Sequence, residues 1–428
     1  MPRTLLGLSL ALSTAFAQGP PPTLTLTLDD AMLRAKANSQ QLLSADIAAR
    51  IAHEDRVQAK AALLPNANYF SGLIYTQPNG TGSGVFVPND GPHVYTNWAT
   101  VHADYSPTKR ADYQMAIAGE AVARAKVEIA QRGLAATVVQ NYYGIVSAQR
   151  HYANAQRSLA EANEFLDVTR KLEAGGEAAR ADVVKAQIEA NNRQRDLRES
   201  QLAIDKARIG FAVYLFPDFR QDFGVVDDLD TLAVLPAFPE IEGLAQKNNP
   251  EVRAAQALVS QETYGIKGAR AALYPTFSLD YYYGMQANQI ALHNETGNNL
   301  LGSSVVAGVT VPIWNWGATR SKIRQAELRL QQSKVDLTLT QRQLLANVNA
   351  FYLEAATSNT QMTALKQSLD LAEESLQLTR LRYQAGEATV LEVVDAQRTV
   401  VDARNAYDDG KARYRVALSA LQTLTGAF

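Results

Sequence analysis

Two carboxylates, Glu392 and Asp395, stand three residues apart inside a helical pattern, so both project from one side of that helix. Repeated around a ring of copies, such a pair makes two acidic rings, which favour cations and hold divalent ions. Spacing alone favours a plainer reading, two solvated carboxylates on an exposed helix. Other chemistry is thinly supplied. The chain has no cysteine, which removes disulfides, thiolate metal ligands and thiol nucleophiles. His53, His93, His102, His151 and His293 never pair at metal-ligand spacing. The stretch Gly80-Thr81-Gly82-Ser83-Gly84 lacks the Lys-Ser/Thr ending of a phosphate loop and does not precede a helix. No Ser-His-Asp or paired-carboxylate arrangement rises above the helical background. The chain reads as a non-enzyme without a cofactor or a metal.

The elements that must position Glu392 and Asp395 come from a chain of 428 residues with 41 Lys+Arg and 43 Asp+Glu. That balance gives no basic face for nucleic acid. Residues 1–17 read as a signal peptide: Arg3, an apolar core from Leu5 to Leu12, and Ala15-Phe16-Ala17 as the cleavage site, with the mature chain starting at Gln18. No cysteine follows, so no lipid anchor is expected. Neither this apolar run nor any later one is long enough for a transmembrane helix.

The rest is one unit written twice. Pro65 and Pro275 stand 210 residues apart, and the same offset relates Ala61-Ala62-Leu63 to Ala271-Ala272-Leu273, Tyr142 to Tyr352 and Thr169-Arg170 to Thr379-Arg380. The densest match sets Gly176-Glu177-Ala178 and Val183-Val184 against Gly386-Glu387-Ala388 and Val393-Val394. The repeats run over 18–216 and 239–428, with a linker at 217–238. Each opens with a helical stretch, 28–63 and 239–272, read as one continuous helix ended by Pro65 or Pro275. Two strands of period 2 follow in each, as in Phe277, Leu279, Tyr281, Tyr283 and Met285 alternating with Thr276, Ser278, Asp280, Tyr282 and Gly284. Gly/Asn-rich loops, 77–93 and 286–302, join the strands of each pair. Each repeat ends in two helices separated by Ala174-Gly175-Gly176 or Ala385-Gly386.

From Arg320 to Tyr383 there is no Gly or Pro, which allows a helix of roughly 95 Å. Its apolar seam runs Ile323, Ala326, Leu330, Ser333, Leu337, Thr340, Leu344, Val348, Phe351, Ala355, Ser358, Met362, Leu365, Leu369, Ala372, Leu376, Thr379, Tyr383, a heptad pattern with one stutter at Leu344. A weaker stripe, Leu328, Val335, Ala346, Leu353, Ala364, Leu371 and Leu378, suits a helix with a neighbour on each side.

Four amphipathic strands, each long enough to cross an outer membrane, cannot close a barrel, since the smallest barrels need about eight. A spanning sheet must close, so the strands must be pooled with those of other copies; the ring size does not follow from the sequence. A periplasmic coiled-coil scaffold or adaptor without a pore is the alternative, and it leaves the four strands unexplained.

This organisation resembles the TolC-like outer-membrane efflux proteins. Arg382-Tyr383-Gln384-Ala385-Gly386 is similar to the family's R-Y-x-x-G at the periplasmic turn, and Leu391-Glu392-Val393-Val394-Asp395-Ala396-Gln397 to its acidic-V-L-D-A stretch. The resemblance covers about Leu24 to Phe428. It implies a mainly α fold with a membrane β-barrel portion: a trimeric α-helical barrel continuous with a twelve-strand β-barrel, four strands per protomer, internally duplicated. It implies an exit duct in the cell outer membrane, reaching into the periplasm. Its partners would be two further copies in a homotrimer, a periplasmic adaptor (membrane fusion) protein, an inner-membrane pump of RND, ABC or MFS type, and outer-membrane lipid, with no nucleic acid. Glu392, Asp395, Asp182 and Tyr383 would form the periplasmic gate. Gly176, Gly386, Glu177 and Glu387 would lie at the tips that meet the adaptor. Some relatives carry a basic latch residue where this chain has Ala388. The linker would join an equatorial belt, with Asp227-Asp228-Leu229-Asp230 as a solvated face rather than a metal site. Phe428 is similar to the aromatic end of barrel proteins, with a packing role as the equal alternative.

Overall fold

The computed structural model describes residues 24–76, 93–231 and 233–426. The signal peptide, the 77–92 loop with its glycine run, and Phe428 lie outside the described residues. In chain order the elements are β1 (Leu24–Leu26), α1 (Leu28–Asn38), α2 (Gln40–Ala61), β2 (Asn66–Tyr75), β3 (His93–Tyr105), α3 (Pro107–Ala174), α4 (Arg180–Leu215), β4 (Phe223–Val225), α5 (Phe238–Asn248), α6 (Pro250–Ala271), β5 (Thr276–Ala287), β6 (Gly302–Thr310), α7 (Ala318–Gln384) and α8 (Val390–Thr425). The order helix, helix, strand, strand, long helix, helix occurs twice.

The opening helix of each repeat is not continuous, contrary to the sequence expectation. Between α1 and α2 the Ser39 hydroxyl accepts from the Leu42 amide at 3.1 Å. Between α5 and α6 the Asn249 side chain accepts from the Glu251 and Val252 amides at 2.9 and 3.0 Å. Each side chain supplies an acceptor for the free amides of a new helix start. Pro250, which the helical reading of 239–272 passed over, sits at the first position of α6, where a missing N–H costs nothing.

The described residues fall into two compact units. One lies within 1–38, 138–232 and 362–412, the other within 39–137, 233–361 and 413–428.

The second unit carries the sheet, in the order β2-β3-β5-β6, antiparallel throughout. Register aligns Tyr69 with Ala99, Ala99 with Tyr283, Val101 with Tyr281, and Tyr281 with Val305. One face therefore carries Tyr69, Leu73, Val101, Phe277, Leu279, Tyr281, Tyr283, Val305 and Val309, all exposed. The opposite face is mainly polar, with Asn66, Asn68, Thr100, His102, Asp104, Ser278, Asp280 and Ser304, but also carries Phe70, Ile74, Val94, Trp98, Tyr282 and Val306. There, the His102 Nδ1 and Asp280 Oδ1 atoms lie 2.6 Å apart. The period-2 alternation in the sequence is thus a sheet with one apolar and one polar face. Below it α3 starts at Pro107, again a first helical position.

The first unit holds the end regions of both long hairpins and the linker up to residue 232. β1 pairs in parallel with β4, and Phe211 and Phe216 pack against Phe223 of β4, with ring centroids 6.2 and 5.5 Å away. The buried Tyr142 hydroxyl donates to the Val226 carbonyl at 2.6 Å. The Asp-rich linker is more than a solvated face. Arg150 on α3 donates to Asp227 at 2.6 Å and to Asp230 and Asp408 at 2.9 Å. Lys411 on α8 donates to Asp230 at 2.8 Å. The hydrogen bonds from Arg150 and then Lys411 hold the Asp230 carboxyl down at about 2. The reason is geometric: two nearly buried cations on neighbouring helices need anions, and the linker passes over them. Among the described residues no acidic or histidine cluster is arranged to hold a metal.

The α7 seam behaves as the heptad reading requires. Every member is buried or half-buried except Phe351. The weaker stripe is bare, with Leu328, Val335, Leu353, Leu371 and Leu378 between 54% and 64% exposed.

Candidate functional site at the hairpin tips

The two long hairpins turn in the same way. At the end of α3 the Glu177 amide donates to the Leu172 carbonyl at 2.8 Å and the Gly176 amide to Glu173 at 2.9 Å. At the end of α7 the Glu387 amide donates to Arg382 at 2.8 Å and the Gly386 amide to Tyr383 at 3.0 Å. This paired 6→1 and 5→2 bonding is the Schellman stop, which needs one residue in the left-handed region. Gly176 (φ 80°) and Gly386 (φ 79°) supply it. A Cβ on either would touch nothing within 4 Å, so backbone conformation, not crowding, demands glycine here. Both glycines and both following glutamates, Glu177 and Glu387, are exposed at the tips.

Beyond the turn the two copies differ. At the start of α8 the Glu392 carboxylate accepts from the Thr389 amide at 3.1 Å and from its hydroxyl at 3.0 Å, while the Thr389 Oγ1 accepts from the Glu392 amide at 3.3 Å. That is a reciprocal capping box. Those bonds to Thr389, with Arg382 3.6 Å away, hold the Glu392 carboxyl below its usual range. At the start of α4 the cap position is Ala179, which has no side chain to offer. Asp182, the counterpart of Glu392, instead lies 3.5 Å from Lys185. Asp395 is exposed, and no side chain among the described residues engages its carboxylate. It lines an open groove of 650 Å³ with Leu391, Val394, Arg398, Arg193 and Asp196. Glu392 and Asp395 share the exposed side of α8, opposite the buried Val393, Gln397 and Val400.

Tyr383 lies apart from these carboxylates. It is buried with Ala162, Phe165, Leu166, Val183, Ala186, Ala190, Val390 and Val393. Its ring meets Phe165 edge-on at 5.0 Å, and its hydroxyl donates to Thr169 Oγ1 at 3.3 Å. It therefore joins α7 to α3, one hairpin to the other. Ala388 packs against the same cluster. Above it, three side chains converge on Glu161 of α3. Arg380 and Gln397 each donate to its carbonyl at 3.3 Å, and Arg404 reaches its carboxylate at 3.2 Å.

Sequence reasoning missed Thr389, Thr169, Glu161, Gln397 and Arg404. Thr389-x-x-Glu392 is itself the signature of a capping box and was open to recognition. The others have no local signal, because their partners lie more than 200 residues away.

The profile of the outer membrane efflux protein family matches residues 32–215 and again 243–427. The chain belongs to the outer membrane efflux protein family. Members of this family are outer-membrane channel components rather than enzymes, and the protein is an outer-membrane protein. Outer membrane protein TolC of Vibrio cholerae is 25% identical over 405 residues, 91% of this chain and 87% of that protein. The proteases secretion protein PrtF of Dickeya chrysanthemi is 23% identical, covering 99% and 91%. The solved CmeC outer membrane channel of Campylobacter jejuni superposes with a TM-score of 0.82 at 16% identity, covering 99% of this chain and 94% of that one. The fold is that of these efflux channels: mainly helical, with a small sheet.

Proposed function

We propose that this efflux-family protein is the exit duct of a tripartite efflux or type I secretion system. In this reading three copies close a twelve-strand barrel over a twelve-helix tunnel. The repeats 18–216 and 239–428 supply equivalent hairpins, and the 217–238 linker lies at the belt. One observation carries the assembly: a sheet with an apolar face and two bare edges. β2 and β6 have 10 and 9 residues. About half of their backbone groups point away from the sheet, and each unpaired group costs several kcal/mol in hydrocarbon. Pairing β2 of one copy with β6 of the next removes both edges. The same neighbour would cover the bare stripe on α7.

The duct supplies no energy. In the resting state Asp395, Glu392 and Asp182 narrow the periplasmic mouth, and Tyr383 with Thr169 ties the hairpins together. A periplasmic adaptor engages the exposed turns at Gly176-Glu177 and Gly386-Glu387, and an inner-membrane pump drives substrate in. The hairpins then part and export through the duct is passive. Reconstitution in planar bilayers tests the whole reading: a detergent-extracted trimer should give small, cation-selective single-channel currents. A soluble monomer, or stable insertion without current, would overturn it.

A further inference from the structure

We infer that the polar face of the sheet carries a binding site for planar aromatic cations, in the outer half of the barrel lumen. The inference rests on the barrel reading above, which makes this face the lumen. On this mainly polar face, which also carries Ile74, Val94 and Val306, three rings stand in a row across three strands: Phe70 on β2, Trp98 on β3 and Tyr282 on β5. The Phe70 and Trp98 centroids are 6.1 Å apart, and those of Trp98 and Tyr282 5.8 Å, edge-on. Phe70 is 54% exposed, so the row is open to whatever fills the lumen. Trp98 stands opposite Gly284 in the register. A Cβ at Gly284 would lie 2.4 Å from the Trp98 Cα, so no side chain fits beside the indole. A cavity of 570 Å³ opens there, bounded by Trp98, Tyr282, Gly284, Gly302, Ser304 and Val306. Its size suits a small flat ligand, and aromatic faces attract cations when water is partly excluded.

Charge selects the ligand. None of the four strands contains a lysine or arginine. Among the described residues, the ionisable side chains of this face are Asp104, Asp280, His102 and the Tyr282 phenol, with Lys109 and Arg110 in the first turn of α3. Lys109 pairs with Asp104. His102 contacts Asp280, which stands two residues from Tyr282 on the same face, about 7 Å along the strand. The site thus joins π-faces to a nearby carboxylate. An aromatic anion would gain the stacking and lose on charge; a non-aromatic cation would gain only the charge.

The chain has three tryptophans, so Trp314→Phe with Trp316→Phe leaves Trp98 as the only indole. In vesicles holding the full-length trimer, ethidium should quench Trp98 saturably. Tyr282→Ala and Asp280→Asn should each raise the half-saturating concentration about tenfold, the scale of a partly desolvated cation–π contact. Naphthalene sulfonate and tetraethylammonium should bind at least tenfold more weakly than ethidium. If aqueous iodide quenches Trp98 and the vesicles conduct, but ethidium quenching does not saturate, the site is refuted and the duct stands. Equal binding of naphthalene sulfonate would overturn the cation preference. Quenching of Trp98 by brominated lipid chains instead of iodide would put this face in lipid, and the barrel reading would fail with the site.

Discussion

Replacing Tyr383 by phenylalanine separates its two contributions. The ring stays against Phe165 in the buried cluster, and only the hydroxyl bond to Thr169 is lost. At 3.3 Å that bond is long for two hydroxyls. Thr169 also keeps its own bond to the Phe165 carbonyl at 2.9 Å, so no buried donor is stranded. The loss is therefore at the low end for a neutral hydrogen bond, about 0.5–1 kcal/mol per copy. If the bond exists only when the hairpins are closed, each copy opens about two to five times more readily. If three copies open together the losses add to about 1.5–3 kcal/mol, or about 10- to 150-fold. Single-channel open probability distinguishes these cases, with hydrogen exchange at residues 165–169 as a local readout. Thermal stability should change little, whereas Tyr383→Ala opens a cavity worth about 3–5 kcal/mol and should lower it plainly. An open probability in Tyr383→Phe indistinguishable from that of the unaltered protein would refute the latch and leave Tyr383 as packing alone.

Glu392→Gln combined with Asp395→Asn removes the acidic charge while keeping a side chain able to complete the capping box; block by divalent ions and cation selectivity should fall, with the exchange protection of the first turn of α8 preserved. Unchanged block would show that neither carboxylate faces the permeation path. Gly386→Ala places a Cβ at φ 79° and should destabilise that turn by about 1–2 kcal/mol, seen as faster amide exchange at Glu387, with Gly386→Asn milder; equal exchange in both variants would contradict the backbone argument. His151 lies 3.0 Å from Asp409, and that pairing, working against burial, raises its pKa above 6.5. Its stabilising contribution is therefore fully present below about pH 6.5 and lost as pH rises through the folded value. Melting temperature should decline above neutrality more steeply in the unaltered protein than in His151→Gln, and parallel curves would refute the pairing.

Much of this architecture is legible in the chain because it rests on periodicity. The α7 seam, the four alternating strands and the turn glycines obey local rules, and each appears where its pattern places it. Ser39 and Asn249-Pro250 were equally local, yet a helical composition around them hid two caps. The tertiary ties are different in kind. Nothing near Glu161 announces that Arg380, Gln397 and Arg404 converge on it. Nothing in Asp227-Asp228-Leu229-Asp230 announces Arg150, because hydrogen bonding between segments distant in sequence leaves no spacing to read. Of the candidate site, the glycines and carboxylates were visible as residues, but the division of labour was not: Glu392 spends its carboxylate on Thr389, while Asp395 keeps its own free.

The linker has a consequence for the duplication itself. It is gripped by Tyr142, Tyr143 and Arg150, and 210 residues on stand Tyr352, Leu353 and Thr360. Two of the three grips have no counterpart in the second repeat. The second repeat holds the linker at other points: Lys411 donates to Asp230 at 2.8 Å, the Tyr414 hydroxyl to the Ala233 carbonyl at 2.6 Å, and Tyr352 meets Phe238 edge-on at 5.1 Å. The once-only segment is thus held by different residues of the two repeats, and a chain re-engineered from two copies of the second repeat would keep the turn glycine of each hairpin but lose the grips of Tyr143 and Arg150.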